Sequence, residues 1–391
     1  MVYYIYIYEY LIYDGSHSLT AKSSDAHDIR LRKGETIMTD AARFRGAFLG
    51  AACGDALGYP IEKLSVSRIV HHYGPFGLRT MVRKKENNRQ AIVSDDTQMI
   101  LATADGLLWS AAKDLDLAEG IYRGYMRWFY SQTGVEPRRG QRTWMRRQPH
   151  EKDFCLAREK FMHVSRNPGH TCLTSLANET RGTLKNKLND SKGSGAVTRV
   201  APIGLFCTGN GPAAFELGIR SAVITHSSPT AYYAAGAGAA LIAWLSSGLS
   251  LPKSLERVLH LLHQESGADE VVTSLEAAIG QAESRPAGKE IPWAHLDSIR
   301  SLGSGSTANE ALAIAVYCSL AVDDPFDAVI VSANHDGASD TTGTMCGAIE
   351  GTRFGTKFLP QSWLDCLEAA PVIQAVAEKL YETYINREKK R

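Results

Sequence analysis

AARFRGAFLGAACGDALG, residues Ala41 to Gly58, is where the chain changes from aromatic and polar residues to small and apolar ones at helical spacing. Apolar residues recur three and four apart in Thr97–Trp109, Leu117–Tyr130, Thr230–Leu245, Leu255–Leu262, Ala308–Ala321 and Ile373–Tyr384. Strand-like alternation is almost absent, so nothing suggests strands alternating with helices in a parallel sheet. The expectation is a single all-α domain from about Thr39 to the end, its helices joined by long glycine-containing loops. The Ala and Gly of AAGAGAALIAWL, Ala234–Leu245, allow close helix approach and place that helix at the centre of the core. No repeat or proline-rich linker divides residues 39–391.

The segment before this stretch has a different character. Nearly every residue from Val2 to Tyr13 is aromatic or β-branched, favouring an extended strand, and DGSHSLTAKSSDAHD is rich in turn formers. Residues 1–38 read as an N-terminal extension, with Met38 as an alternative start.

The whole chain has 391 residues, and 43 Lys+Arg against 42 Asp+Glu leave a net charge of +1. No global field draws it to nucleic acid or an anionic membrane. With 44% hydrophobic and 22% charged residues it can bury a large core. No apolar run reaches the roughly eighteen residues of a membrane span, and the start lacks the basic region of a secretion signal. The seven cysteines contain no CxxC pair, which suggests reduced thiols in a cytoplasm. Arg138, Arg139, Arg142, Arg146 and Arg147 around Trp144 could clamp phosphate or stack on a base, though a solvated loop flanking a helix is the favoured reading.

Three segments combine residues suited to chemistry. Gly58 can end the first helix in a left-handed cap and Pro60 cannot continue it, so Glu62 emerges on a turn after a buried segment. Ser94-Asp95-Asp96-Thr97 precedes an apolar helix; it can cap that helix, or its carboxylates and hydroxyl can converge on a hard cation. Asn334-His335-Asp336-Gly337-Ala338-Ser339-Asp340-Thr341 repeats that layout of acid and hydroxyl at a helix start. If the two starts face each other, Asp95, Asp96 and Asp340 with Ser94 and Thr341 give an all-oxygen site for one or two Mg²⁺. Between them, Asn167–Thr171 and Lys192–Arg199 are glycine loops able to line a phosphate site, with Lys192 or His170 adding charge. His226 could meet phosphate or sit in the core.

The ordered series GAFLGAACGDALGYPIE, SDDTQM, NPGHTCLTSL, KGSGAVTRVAPIGL, THSSPTA and NHDGASDTTGTMCGAIEG resembles the ADP-ribosylglycohydrolase family. The resemblance implies an all-helical domain with a binuclear magnesium centre in a cleft that binds ADP-ribose. It makes Ser94, Asp95, Asp96, Asp340 and Thr341 metal ligands, with Glu62 beside the reacting ribose and Asp96 also in the catalytic set. Gly169, His170, Thr171, Ser194, Gly195 and His226 become ADP-ribose contacts. The implied reaction is hydrolysis at the ribose anomeric carbon of an ADP-ribosylated protein, arginine being the expected linkage, with Glu62 moving the proton.

The chain departs from the family pattern in two ways. Ala338 stands where the last motif usually has an acid, which removes an anionic ligand from one metal site. His170 and Ser194 stand where asparagine is common. Moreover, six tyrosines in the first thirteen residues form an apolar segment that the resemblance does not explain. Some similar proteins act as immunity factors, so the alternative expectation is that the extension plugs an ADP-ribosyltransferase toxin.

Overall fold

Helical period dominates the architecture as it dominates the sequence. The computed structural model describes residues 40–87, 89–284 and 292–390. The N-terminal extension and Thr39 lie outside the described residues, which belong to a unit of Met38–Arg391. Sixteen α-helices and several 3-10 turns occur among the described residues, and β pairing is limited to isolated bridges at Ala91–Leu367 and Gly193–Thr307. In order, the first eight are α1 (Asp40–Gly58), α2 (Val66–Tyr73), α3 (Asp95–Lys113), α4 (Leu117–Thr133), α5 (His170–Ala177), α6 (Ala201–Phe206), α7 (Gly211–Ala222) and α8 (Pro229–Ser246). There follow α9 (Leu251–Leu262), α10 (Asp269–Glu283), α11 (Leu296–Leu302), α12 (Ala308–Ala321), α13 (Pro325–Ala333), α14 (Ser339–Phe354), α15 (Gln361–Cys366) and α16 (Ala370–Glu388). The six periodic segments fall in α3, α4, α8, α9, α12 and α16.

α1 and α14 are joined by an antiparallel ladder of glycines. A Cβ on Gly46 would lie 2.0 Å from the Gly351 carbonyl oxygen, one on Gly50 2.2 Å from that of Gly347, and one on Gly54 1.9 Å from that of Gly343. Each glycine costs helix stability of about 1 kcal/mol relative to alanine, and the close backbone contact offsets it. The ladder ends at Gly58, where a Cβ would lie 2.2 Å from the Ser339 carbonyl oxygen.

This corrects the expected left-handed cap. Gly58 has φ −74° and passes directly into the 3-10 turn Tyr59–Ile61, in which Pro60 is accommodated. Gly58 is needed for clearance against α14 and not for its handedness. Together the ladder and turn set Glu62 close to the start of α14, where the Lys63 amide donates to the Gly337 carbonyl at 3.1 Å.

α3 packs antiparallel against α4 by the same device; a Cβ on Gly124 would be 2.2 Å from the Ala102 carbonyl oxygen. α8 is buried almost throughout and packs on α6, α7, α9, α12 and α14, as its small residues suggest.

Candidate active site

The site is assembled at helix N-termini, where orphan N–H groups and the helix dipole favour negative charge. Ser94 caps α3, its Oγ accepting from the Asp96 amide at 3.1 Å. α14 has no side-chain cap: Ala338 occupies that position, Asp340 lies in the first turn, and the Thr341 amide donates to Asp340 Oδ1 at 2.8 Å. The two starts meet where Thr341 Oγ1 donates to Asp96 Oδ2 at 3.0 Å. Thus the chain brings SDDT and ASDT together as expected from their shared layout.

Asp55 fixes this meeting from below. It is wholly buried in α1 and accepts from the Ser94 amide at 2.9 Å, the Thr97 amide at 3.2 Å and the Thr97 hydroxyl. This residue was missed as a functional candidate, although a carboxylate amid Gly and Ala on a helix with no polar face is itself a signal. Burial, reinforced by the Asp96 charge, pushes Asp55 up to about 7.

The neighbouring acids are perturbed the same way. Burial pushes Asp96 up to about 6, with the Glu62 charge adding. Burial and the Asp96 charge hold both Asp95 and Asp340 well above the ordinary carboxylate range. Among the described residues no Lys or Arg forms an ion pair with Asp55, Asp95, Asp96 or Asp340; Lys63 pairs with Glu62 at 2.8 Å and Arg166 with Glu368 at 2.9 Å, while the charge of buried Arg199 reaches Asp96 without a direct bond and partly offsets its rise. Carboxylates that are buried or half-buried, make no ion pair and lie beside hydroxyls are a donor set that suits a hard divalent cation.

The loop before α5 closes one side. The Asp95 amide donates to the Arg166 carbonyl at 3.2 Å, and the Gly169 amide donates to Asp95 Oδ2 at 3.1 Å. Asn167, at φ 63°, donates from Nδ2 to Glu62 Oε2 at 2.9 Å. One loop therefore touches both Asp95 and Glu62. His170 opens α5 and is exposed, while the Thr171 and Ser191 hydroxyls share a hydrogen bond at 3.0 Å.

The second glycine loop forms the other side, where the Ser194 amide donates to the Ser306 carbonyl at 3.1 Å. A Cβ on Gly193 would lie 3.1 Å from His226 Nε2, and one on Gly195 3.6 Å from Cys172 Sγ, itself 3.8 Å from a Cβ placed on Gly169. Gly169, Gly195 and His226 are thus brought together around Cys172. Lys192 is turned to Glu270, which it pairs with at 2.7 Å.

Two other polar clusters lie apart from this site. Asp105, His150 and Glu151 are buried with potential ligand atoms within 4.8 Å of one another. Arg127 bridges them, bonding Asp105 and donating to Glu151 at 3.0 Å, while His150 Nε2 donates to Asp105 at 2.7 Å. Burial alone would raise Asp105, but Arg127 and His150 hold it low. The arginine-rich loop is anchored by Trp144, edge-on to Trp109 and Tyr122 with Arg123 over its ring. Arg138 pairs with Glu179 and Arg142 with Glu136.

No helix among the described residues is long and apolar enough to cross a membrane. Comparison with known proteins agrees with the geometry. Residues 37–390 match the family model of ADP-ribosylglycohydrolase. The chain is 24% identical to ADP-ribosylhydrolase ARH3 of Mus musculus, over 88% of this chain and 92% of that protein. It is 25% identical to ADP-ribosylarginine hydrolase Tri1 of Pseudomonas putida, over 87% of this chain and 78% of that protein. A solved structure, an ADP-ribosylglycohydrolase-related protein complex, shares the fold with a TM-score of 0.57 at 23% identity, covering 88% of this chain and 99% of that one. The chain belongs to the ADP-ribosylglycohydrolase family, and it is a hydrolase of ADP-ribose linkages.

Proposed function

We propose that this protein hydrolyses the N-glycosidic bond between ADP-ribose and arginine side chains of modified proteins, using Mg²⁺ held by Asp95, Asp96, Asp340 and Thr341 with Ser94. The observation that carries this is the acid cluster of half-buried Asp95 with buried Asp96 and Asp340, gathered at two helix starts without an ion-pair partner among the described residues. The similarity to an ADP-ribosylarginine hydrolase favours arginine as the linkage.

Bound magnesium would orient the ribose hydroxyls and acidify a water. Glu62 Oε2, steadied by Asn167, carries the proton as water adds to the anomeric carbon and the guanidine leaves. Asp96 receives the Thr341 hydroxyl and keeps the two helix starts in register. Gly169, His170, Thr171, Ser194, Gly195 and His226 surround the diphosphate and ribose. Ala338 leaves one of the two metal positions short of an anion, so turnover is reduced while ADP-ribose binding persists. The test is release of ADP-ribose from arginine-modified and serine-modified proteins in parallel. Release from arginine is expected; release from serine alone overturns the linkage.

A second reading rests on the six tyrosines at the N-terminus. In it, residues 39–391 form the catalytic domain and residues 2–37 of the extension enter the NAD cleft of an ADP-ribosyltransferase, the whole acting as a cytoplasmic immunity protein. An extended aromatic segment can gain main-chain bonds and aromatic burial in such a cleft. Full-length protein, a chain starting at Met38 and full-length Asp96→Ala are compared as transferase inhibitors. Inhibition lost only on truncation supports it; equal inhibition by the truncated chain overturns it.

A further inference from the structure

Arg199 is wholly buried and forms no ion pair with a carboxylate among the described residues. Its guanidinium stacks on Tyr125 at 4.3 Å and donates to Cys172 Sγ at 3.5 Å, the Ser221 carbonyl at 3.4 Å and Thr225 Oγ1 at 2.6 Å. Arginine has only donors, so the Thr225 oxygen accepts in that bond. The Thr225 hydroxyl, also wholly buried, lies 2.9 Å from His226 Nδ1. Its one proton has Nδ1 as the acceptor within reach. With Nδ1 protonated instead, a buried hydroxyl proton would be left without a partner, which disfavours that tautomer.

The second ring nitrogen is placed differently. Nε2 makes no hydrogen bond with the described residues and faces the second glycine loop, 3.1 Å from a Cβ placed on Gly193 and 3.9 Å from one placed on Gly195. A side chain at Gly193 would crowd the ring, whereas one at Gly195 would rest against it in ordinary contact. Burial, with the Arg199 charge adding, pushes His226 down to about 3, so the ring is neutral at any ordinary pH.

We propose that Arg199 and Thr225 are positioning residues that hold His226 with its proton on Nε2, so that it offers one neutral N–H donor to an acceptor oxygen of the ligand in the glycine-lined cleft. The choice of ADP-ribose as that ligand rests on the function proposed above; the relay itself does not. A ligand presenting a donor at this position is rejected, because Nε2 has no lone pair to receive it.

The test uses full-length protein labelled with ¹⁵N-histidine and long-range ¹H–¹⁵N correlation, with His226→Gln identifying the signal. The expected spectrum shows protonated Nε2 and unprotonated Nδ1 for His226 in the wild type, before any ligand is added. Thr225→Val should release the tautomer to a mixture and weaken ADP-ribose binding in proportion to the rings that lose the Nε2 proton, about twofold for an even mixture. Thr225→Ser should restore both. A wild-type spectrum with the proton on Nδ1, or a Thr225→Val tautomer like the wild type, overturns the relay. If ADP-ribose does not bind the wild type at all, the functional reading fails, and the tautomer still decides the relay.

Discussion

Thr341 donates its hydroxyl to Asp96 at 3.0 Å across 245 residues of sequence, joining the starts of α3 and α14. Thr341→Val keeps the shape of the residue but removes that donor. Magnesium affinity should fall about tenfold, as for other losses of a metal-site contact, with the fold retained. Titration calorimetry on the variant and the wild type measures it, and equal affinities would show that Thr341 neither holds magnesium nor orders Asp96 for it.

The glycine ladder should tolerate no side chain. Gly54→Ala forces a Cβ against the Gly343 carbonyl, and destabilisation of about 3 kcal/mol in urea unfolding is expected. The contrasting variant is Gly280→Ala on α10, where nothing lies within 4 Å of the new Cβ. It should be neutral or stabilise by up to about 1 kcal/mol.

Without bound cation, stability should fall as pH rises. Asp96 at about 6 and Asp55 at about 7, with Asp95 and Asp340 also raised, lie above the unfolded carboxylate value of about 4. Between these values the folded chain holds more protons than the unfolded one, so each step upward in pH favours unfolding. Thermal melting in chelator should therefore decline from mildly acid to neutral pH. Added magnesium should remove most of that decline; an unchanged slope would place magnesium elsewhere.

Arg127 should matter for stability and not for chemistry. Arg127→Met leaves Asp105 and Glu151 as buried charges that have lost their cation, and a loss of about 3–5 kcal/mol is expected. Turnover per folded molecule should be unchanged. A fall in turnover with unaltered stability would make the cluster part of the site.

The long helices were legible because their apolar period is local, and SDDT and ASDT because the same layout of acid and hydroxyl recurs at two helix starts, where either one alone reads as an ordinary cap. The register between α1 and α14 was not, since Gly50 meets Gly347 only after both helices form and dock. The same holds for Asp55, whose partners lie about forty residues away, and for Asn167, which reaches back to Glu62 from a loop without periodicity. The Gly58 cap was misread because glycine at a helix end usually supplies positive φ, while here it supplies clearance. Asp105, Arg127 and Glu151 carry no shared motif, and only the pairing of α3 with α4 brings the first two together.

The central claim is that Asp95, Asp96 and Asp340 hold the magnesium on which hydrolysis depends, and that Ala338 limits it. The most direct measurement is the rate of ADP-ribose release from an arginine-modified protein, with and without magnesium, by the wild type, Ala338→Asp and Ala338→Asp/Asp96→Ala. The account predicts slow magnesium-dependent release by the wild type, a gain of at least about tenfold in Ala338→Asp from the added ligand, and loss of that gain in the double variant. Release that persists in chelator, or that survives Asp96→Ala undiminished, would contradict it.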